Sequence, residues 1–497
     1  PGAIGLKWSA SNYGGIRNVA IRSSDGYGRA GLLMDRRNAT SYLHDLLVEG
    51  FDVGIELTAA AETAVALEHA TLSGQRETAL QVGGEKTGHV CLSARKIVTR
   101  DAPVALRAVH AAQVVLLDSK LASAHDSAAA AVLETDGYLF ARDVDVSGYR
   151  AAVMQNNEAA LNGTFIKEYA STKAVSLRGD APVPAQSLRL PVKDTPFVKP
   201  EADLSKWADV DAFGAVGDGI ADDTAAVQRA MKSGKPVVFF PKANYVVNGT
   251  VDIPASVREV TWLFGGVHRT IAAGKDGPGL FRVAEPSAEP LRLHGAITAG
   301  GVFLDHEADR PVVLEDIEVW FHHCRSYAGK ADMLFPSPAA QDTAIWRLYR
   351  NSRPAGAAKE VFVNNCLFFA GDDKEEKCGL ENVHAWARMV NSEHLPGAQY
   401  AFRRSDAWIF GFKSENADRL FQADDRTRLE VLGGSFLNWE HKKGPAFVSR
   451  DSRVFAVCYL WSQLAETILR EEANGVAGTL PAARFPMLGS GAIVVIQ

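Results

Sequence analysis

Through the first third of the chain, short apolar runs return at a nearly constant interval. They are "GLLM" from Gly31, "GIEL" from Gly54, "ALQV" from Ala79, "ALRA" from Ala105, "AAVL" from Ala130, "AAVM" from Ala151 and "AVSL" from Ala174. The step is roughly 21 to 26 residues. A second run recurs between them, in "IRNVAIRSS", "LHDLLVEGF", "LEHATLSGQ", "LSARKIVTR", "LLDSKLASA" and "FARDVDVSG". These runs are short and alternating, and many end in Gly, Ser or Asn, which predicts strands separated by turns. A period of 3.6 is missing, so helical repeats fail. The fixed Leu–x–x–Leu–x–Leu of a leucine-rich repeat is missing too. What remains is a parallel β-helix, each coil giving about three short strands and stacking on its neighbour.

This first solenoid is expected over residues 1–177. Solenoids need capped ends, and residues 1–12 already read as mid-coil, so a capping segment ahead of them is expected. Residues 178–206 contain five prolines and few apolar pairs. They predict an extended connector running along the surface of the first solenoid.

A second start follows at Phe213, in "FGAVGDGIADDTAAVQRAM". A strand is expected over Asp209–Phe213, and Gly214, Gly217 and Gly219 permit a tight backbone path. Asp222 or Asp223 can cap a helix over Thr224–Lys232, which Gly234 ends. "VVFFP" is then a buried strand. The glycine spacing fits neither a dinucleotide fingerprint nor a P-loop, and the acidic residues would repel phosphate. Capping explains Asp218, Asp222 and Asp223 more simply than a metal site does. A second solenoid is expected over residues 207–497.

The net charge of −6 leaves no basic footprint for nucleic acid. No run of eighteen apolar residues predicts a membrane span, and "PGAIGLKWSASNYGG" has neither part of a signal peptide. Five cysteines without CxxC or zinc spacing read as buried thiols.

The stretch from Phe213 through "VVFFPKANYVV" resembles the N-terminal cap of the pectate lyase-like, right-handed β-helix superfamily. That pattern is close to F-G-A-x-G-D-G-x-x-D-D-T-x-A-x-Q, a helix, then F-P-x-G-x-Y; Ala243 replaces the Gly, and Asn244 stands where Thr is frequent. With repeats on both sides of it, the chain resembles glycoside hydrolase family 55, the exo-acting β-1,3-glucanases or laminarinases. The resemblance implies an all-β fold of two tandem right-handed parallel β-helices with the active site in the cleft between them. "WIFGFKSENADRLFQ" (Trp408–Gln422) is similar to the family segment W-L-Y-G-T-x-V-E-H-H-x-L-Y-Q, whose general acid falls on Glu415. Asn416 and Ala417 replace the two His. The family segment E-N-V-W-L-W-T-A-D-H-D has two possible matches. "NNCLFFAGDD" keeps the acidic end at Asp372 and Asp373, whereas "ENVHAWARMVNSE" keeps Trp386 and adds Arg388, Asn391 and Glu393.

Glycoside hydrolysis needs a carboxylic acid for the leaving oxygen and groups that hold water. Glu415 is the expected acid. Phe410 and Phe412 are expected to give it apolar surroundings, while Lys413 shares its face two residues away. Exposed aromatics suit sugar rings, and alternation allows Trp386 and Trp408 to be exposed. Substrate contacts are expected from Trp386, Arg388, Glu393, Trp408, Lys413, Asp372 and, from the first solenoid, Gln155 in "MQNN". The expected function is an inverting, exo-acting hydrolase of β-1,3-glucan or a related glycan, with no cofactor or metal. The substrate class implies a secreted or periplasmic protein. The alternatives are a polysaccharide lyase, using Arg388, Arg403, Arg404 or Lys413 against a uronate, and a non-catalytic carbohydrate-binding β-helix.

Overall fold

The computed structural model describes residues 2–496 except 13, 37, 60–62, 85–88, 111, 125–129, 136, 178–182, 264, 271–276, 300, 320–345, 370–378, 394–396, 439–443, 461–466 and 485–491. Its sheets fall into two sets, one from residues 4–170 and one from residues 207–496. Within each set nearly every pairing is parallel and joins a strand to its counterpart one coil later, which makes two tandem parallel β-helices. The first has an eight-stranded and a seven-stranded sheet. Among the described residues the second has sheets of seventeen, four and six strands. Antiparallel strands end the stacks: Glu158–Leu161 and Phe165–Ala170 in the first, Val476–Pro481 and Ala492–Ile496 in the second.

The second recurring run of the first solenoid is one long strand bent in the middle. Asn18, Asp45, His69, Lys96, Asp118 and Asp143 stack in register, each with φ between 48° and 57°. A left-handed residue breaks the two-residue alternation, so inward side chains fall three apart across it. Leu43 and Leu46, Leu67 and Ala70, Ala94 and Ile97, and Ala141 and Val144 all enter the first core. The expected three strands per coil are therefore two strand elements, one with two limbs. The second solenoid repeats the device along Gly295, Asp316, Asn365, Met389, Gly411 and Gly433.

Before the bend, both faces of these strands are buried. One faces its own core; the other meets the second solenoid in a seam of Tyr42, Ala66, Val115, Leu117, Phe140, Trp386, Trp408, Phe410, Leu432 and Phe455. Burial on both faces is why these strands read as nearly continuous apolar runs. The approach is close. Ser93 Oγ donates to Leu432 O at 3.0 Å, and a Cβ on Gly433 would lie 1.9 Å from that hydroxyl. Gly433 also has φ 87°, so only glycine fits there without strain.

The connector lies along this seam rather than on the first solenoid alone. Pro191 O accepts from Trp386 Nε1 at 2.9 Å, Arg189 N donates to Glu430 at 3.0 Å, and Asp194 takes Arg95 at 2.7 Å. Pro191 has no N–H of its own and offers only its carbonyl, which Trp386 of the second solenoid uses.

At the second start, Trp207–Asp209 is a strand but Val210–Phe213 is a 3-10 turn, where a longer strand was expected. Asp209 accepts from Asp211 N at 2.9 Å, and that local bond competes with a sheet ladder. The helix spans Thr224–Met231 and buries Ala226, Val227, Ala230 and Met231 on one face. Asp223 occupies the N-cap position, but its carboxylate accepts from Val216 N and Gly217 N at 2.6 and 3.2 Å and so ties down the loop. Asp222 is the one that reaches Thr224 N, at 3.0 Å. Gln228 donates to Asp252 O at 3.0 Å and accepts from Asp252 N at 2.8 Å, so its amide completes the edge of the first coil.

Candidate functional site

Strand Asp406–Glu415 carries the residues singled out in "WIFGFKSE". Ala407 and Ile409 point into the second core, and Trp408 and Phe410 into the seam. The left-handed Gly411 shifts the alternation, so Phe412 turns to the core and Lys413 and Glu415 share the seam side. In register on the preceding strand, Val383–Glu393, Asn391 pairs with Lys413 and Glu393 with Glu415.

These four side chains form one cluster. Lys413 Nζ lies 2.5 Å from Glu415 Oε1 and is also ion-paired to Glu393. Asn391 Nδ2 donates to Glu393 Oε1 at 3.0 Å and to Asn12 O of the first solenoid at 3.2 Å. Exposure of the side chains is 1% for Lys413, 4% for Glu393 and 13% for Glu415, so Glu415 is the member that solvent reaches. Gln399 Nε2 holds the main chain there by donating to Glu415 O at 2.8 Å. The expected apolar surroundings are not what flanks the carboxylate. Phe410 stacks on Trp408 with ring centres 5.0 Å apart, and Phe412 packs edge-on against Phe421.

The other expected site residues go elsewhere. Trp386 and Trp408 are buried in the seam, where exposure was allowed for. Trp386 stacks on Phe362 at 4.8 Å and carries Lys193 over its ring at 5.4 Å. Its edge and that of Trp408 contribute to a groove of about 320 Å³ with Pro191, His384 and Arg428, near the start of the strands that end in Glu393 and Glu415. Arg388 is fully buried: its Nε donates to Glu68 Oε2 at 2.6 Å and its Nη2 to Lys193 O at 2.5 Å. Trp386, Trp408 and Arg388 thus differ from the sequence expectation for one reason. The first solenoid covers the face that a single solenoid would expose. Gln155 lies in the eight-stranded sheet, none of whose residues enters the seam cluster. Its amide bonds Ser171 O and Tyr169 Oη, both at 3.2 Å. Asp372 lies outside the described residues.

One residue was missed. Gln113 is 1% exposed, and both of its amide atoms lack a hydrogen-bond partner among the described residues. It pairs in register with Cys91 and Tyr138, both seam residues. The facing strands run antiparallel across the seam. Ser93 meets Leu432, and His89 stacks on Tyr459 at 4.3 Å. Tyr459 pairs in register with Ser435, itself the partner of Lys413, so His89 marks the level of Lys413 on the facing wall. Gln113 falls at that same end of the seam. A buried amide without a protein partner can be satisfied by water or a ligand. The signal in sequence was a glutamine at the head of an otherwise apolar run, "AAQVVLL".

The tandem β-helices and the cap place the chain with pectate lyase-like parallel β-helix proteins in fold. Residues 207–265 match the family model described as rhamnogalacturonase A/epimerase, pectate lyase-like. No curated protein sequence matches. Among solved structures, the chain is similar to sacteLam55A from Streptomyces sp. SirexAA-E, at 10% identity over 98% of each chain with a TM-score of 0.38. It is similar to PfbA, a surface adhesin of Streptococcus pneumoniae, at 10% identity over 58% of this chain and 98% of that one, TM-score 0.27. It is also similar to ORF18 of Geobacillus virus E2, at 11% identity and TM-score 0.27, over 56% of this chain; it spans 64% of that protein's length.

Proposed function

We propose that the protein is a glycoside hydrolase acting on a neutral glycan at the seam end marked by Glu415. The observation that carries this reading is the cluster itself. A carboxyl with 13% exposure stands at the rim, held through Lys413 to the buried Glu393. Glu415 is the general acid that protonates the leaving oxygen. Glu393 is not its partner across a sugar ring. Both carboxylates reach one ammonium, so their oxygens are at most about 6 Å apart, and Lys413 occupies the space between them. A retaining pair needs that space for the anomeric carbon, and an inverting pair needs a wider gap. Water is therefore supplied from the opposite wall, where the Gln113 amide can orient it, and attack by that water inverts the anomeric centre. The finer reading, exo-action on β-1,3-glucan, rests on the resemblance of Trp408–Gln422 to the family 55 segment.

A uronate lyase fits less well. It needs cations free to neutralise a substrate carboxylate. Arg388 is locked on Glu68, Arg404 pairs with Glu381 and Asp425, and Lys413 is shared by two carboxylates. The cluster offers no net positive charge to neutralise a uronate.

A panel of neutral and acidic polysaccharides with product analysis tests this reading on wild type and Glu415→Gln. Soluble β-1,3-glucan is expected to be cleaved by wild type. In the variant the rate should fall by about 10²–10⁴-fold, as for loss of a general acid. Retained cleavage in Glu415→Gln removes the site assignment. Unsaturated, ultraviolet-absorbing product from a uronate polymer means a lyase, and no cleavage of any glycan means a binding protein.

A further inference from the structure

We infer that His89 is the general base of the proposed hydrolysis, the group on the wall facing Glu415 that takes the proton of the attacking water. The inference rests on the reading of Glu415 as the acid. Inversion needs a proton acceptor as well as a donor. Glu393 does not supply one across a sugar ring, because it is buried and reaches the same ammonium as Glu415. The Gln113 amide can hold a water, but it is no base and does not take the proton. An imidazole does. The position of His89 follows from the strand register. Its ring lies on Tyr459 with centres 4.3 Å apart. Tyr459 pairs with Ser435 and Ser435 with Lys413, so His89 packs against a strand two along from that of Lys413, about 9.5 Å across the sheet. An inverting acid and base stand about 6.5–9.5 Å apart, with room for a water between them.

Burial holds the His89 imidazole below the ordinary histidine range, so at neutral pH it is uncharged and able to accept a proton. Nδ1 is buried and has no hydrogen-bond partner among the described residues, which leaves Nε2 of this half-buried side chain toward solvent. The main chain is fixed there, since Thr63 N donates to His89 O at 2.9 Å. The step balances. Glu415 gives its proton to the glycosidic oxygen as the bond from that oxygen to the anomeric carbon breaks. Water bonds to the same carbon from the opposite face, and its surplus proton goes to His89 Nε2. Once the product leaves, His89 releases a proton to solvent and Glu415 recovers one.

Two substrates separate the acid from the base. Soluble β-1,3-glucan has a leaving oxygen that needs a proton, whereas dinitrophenyl β-laminaribioside has one that does not. His89→Ala is expected to be slower on both by about 10²–10⁴-fold, as for loss of a general base. Azide is a nucleophile that needs no base. It should restore cleavage of the dinitrophenyl substrate by His89→Ala and give a glycosyl azide of inverted configuration. His89→Phe keeps a ring on Tyr459 and should be as slow as the alanine variant. Thermal unfolding reports whether each variant folds, and His89→Phe decides the rate comparison if His89→Ala does not fold. Undiminished cleavage in a folded His89 variant, loss on the glucan alone, or loss in His89→Ala that azide does not relieve overturns the inference and makes His89 a packing residue. Glu415→Gln measured alongside should be slow on the glucan alone. Failure of the acid reading shows separately, as Glu415→Gln cleaving the glucan at the wild-type rate or being slow on both substrates. A wild type that cleaves neither substrate removes both readings.

Discussion

Substituting Glu68 by Gln tests whether the two solenoids are held as one frame by a buried charge network. Glu68 and Arg388 are 320 residues apart, and each has only 1% of its side chain exposed. Glu68 accepts from Arg388 Nε at 2.6 Å, Arg95 Nη1 at 2.9 Å and Tyr42 Oη at 2.9 Å. Arg95 would keep Asp118 and Asp194, both at 2.7 Å. Arg388 would keep the Lys193 carbonyl and the Trp408 ring, 5.3 Å away, but no carboxylate among the described residues. Leaving one buried charge without its partner costs about 3–5 kcal/mol. The glutamine carbonyl still accepts one bond, so the lower end, about 3 kcal/mol, applies. The m-value of a chain this long exceeds the roughly 3 kcal/mol/M at the top of the small-protein range, so the urea midpoint moves down by less than about 1 M. Tryptophan fluorescence is the readout, because Trp386 and Trp408 lie in the seam, with circular dichroism as the test that both report one transition. Adding Arg388→Met removes the stranded charge and should restore about 2 kcal/mol or more. Acid supplies a further check. Burial pushes the Glu68 carboxyl up, but Arg388 and Arg95 outweigh it and hold it below the ordinary value. Its contribution is therefore present above the unfolded value of about 4.3 and lost as pH falls through the lower folded value. The penalty of Glu68→Gln should shrink in that acid range. A loss under about 1 kcal/mol near neutral pH, or a double variant that only adds a second loss, refutes the account.

Gly433→Ala should cost about 2 kcal/mol or more, since its Cβ would sit 1.9 Å from Ser93 Oγ on a backbone with φ 87°. Adding Ser93→Ala should relieve the clash but not the backbone strain, so recovery in the same urea assay stays partial. Asp316→Asn should flatten the acid side of the stability profile. Burial pushes the Asp316 carboxyl up, but His294 and Arg17 outweigh it and hold it well below the carboxylate range. Its contribution is present above about pH 3.9 and lost on acidification below that. Asn tolerates the left-handed φ of 51°, so melting temperatures of the two proteins should converge as pH falls.

Local rules carried most of the fold into the sequence. The recurring "LHDL", "LEHA", "ARKI" and "ARDV" place two inward residues three apart, as a left-handed bend between strand limbs requires. The Gly-Asp stretch from Phe213 and its following helix form a cap by bonds that span only a few residues. Alternation within one strand was enough to put Lys413 beside Glu415, because neighbours on one face need no knowledge of the rest of the chain. Tertiary structure decided what the seam touches. The burial of Trp386 and Trp408, the capture of Arg388 by Glu68 and the Gln113 amide, unpartnered among the described residues, all arise where the first solenoid meets the second. No periodicity records that meeting. A strand buried on both faces and a strand with one exposed aromatic face can carry the same residues, and only the approach of the second wall distinguishes them.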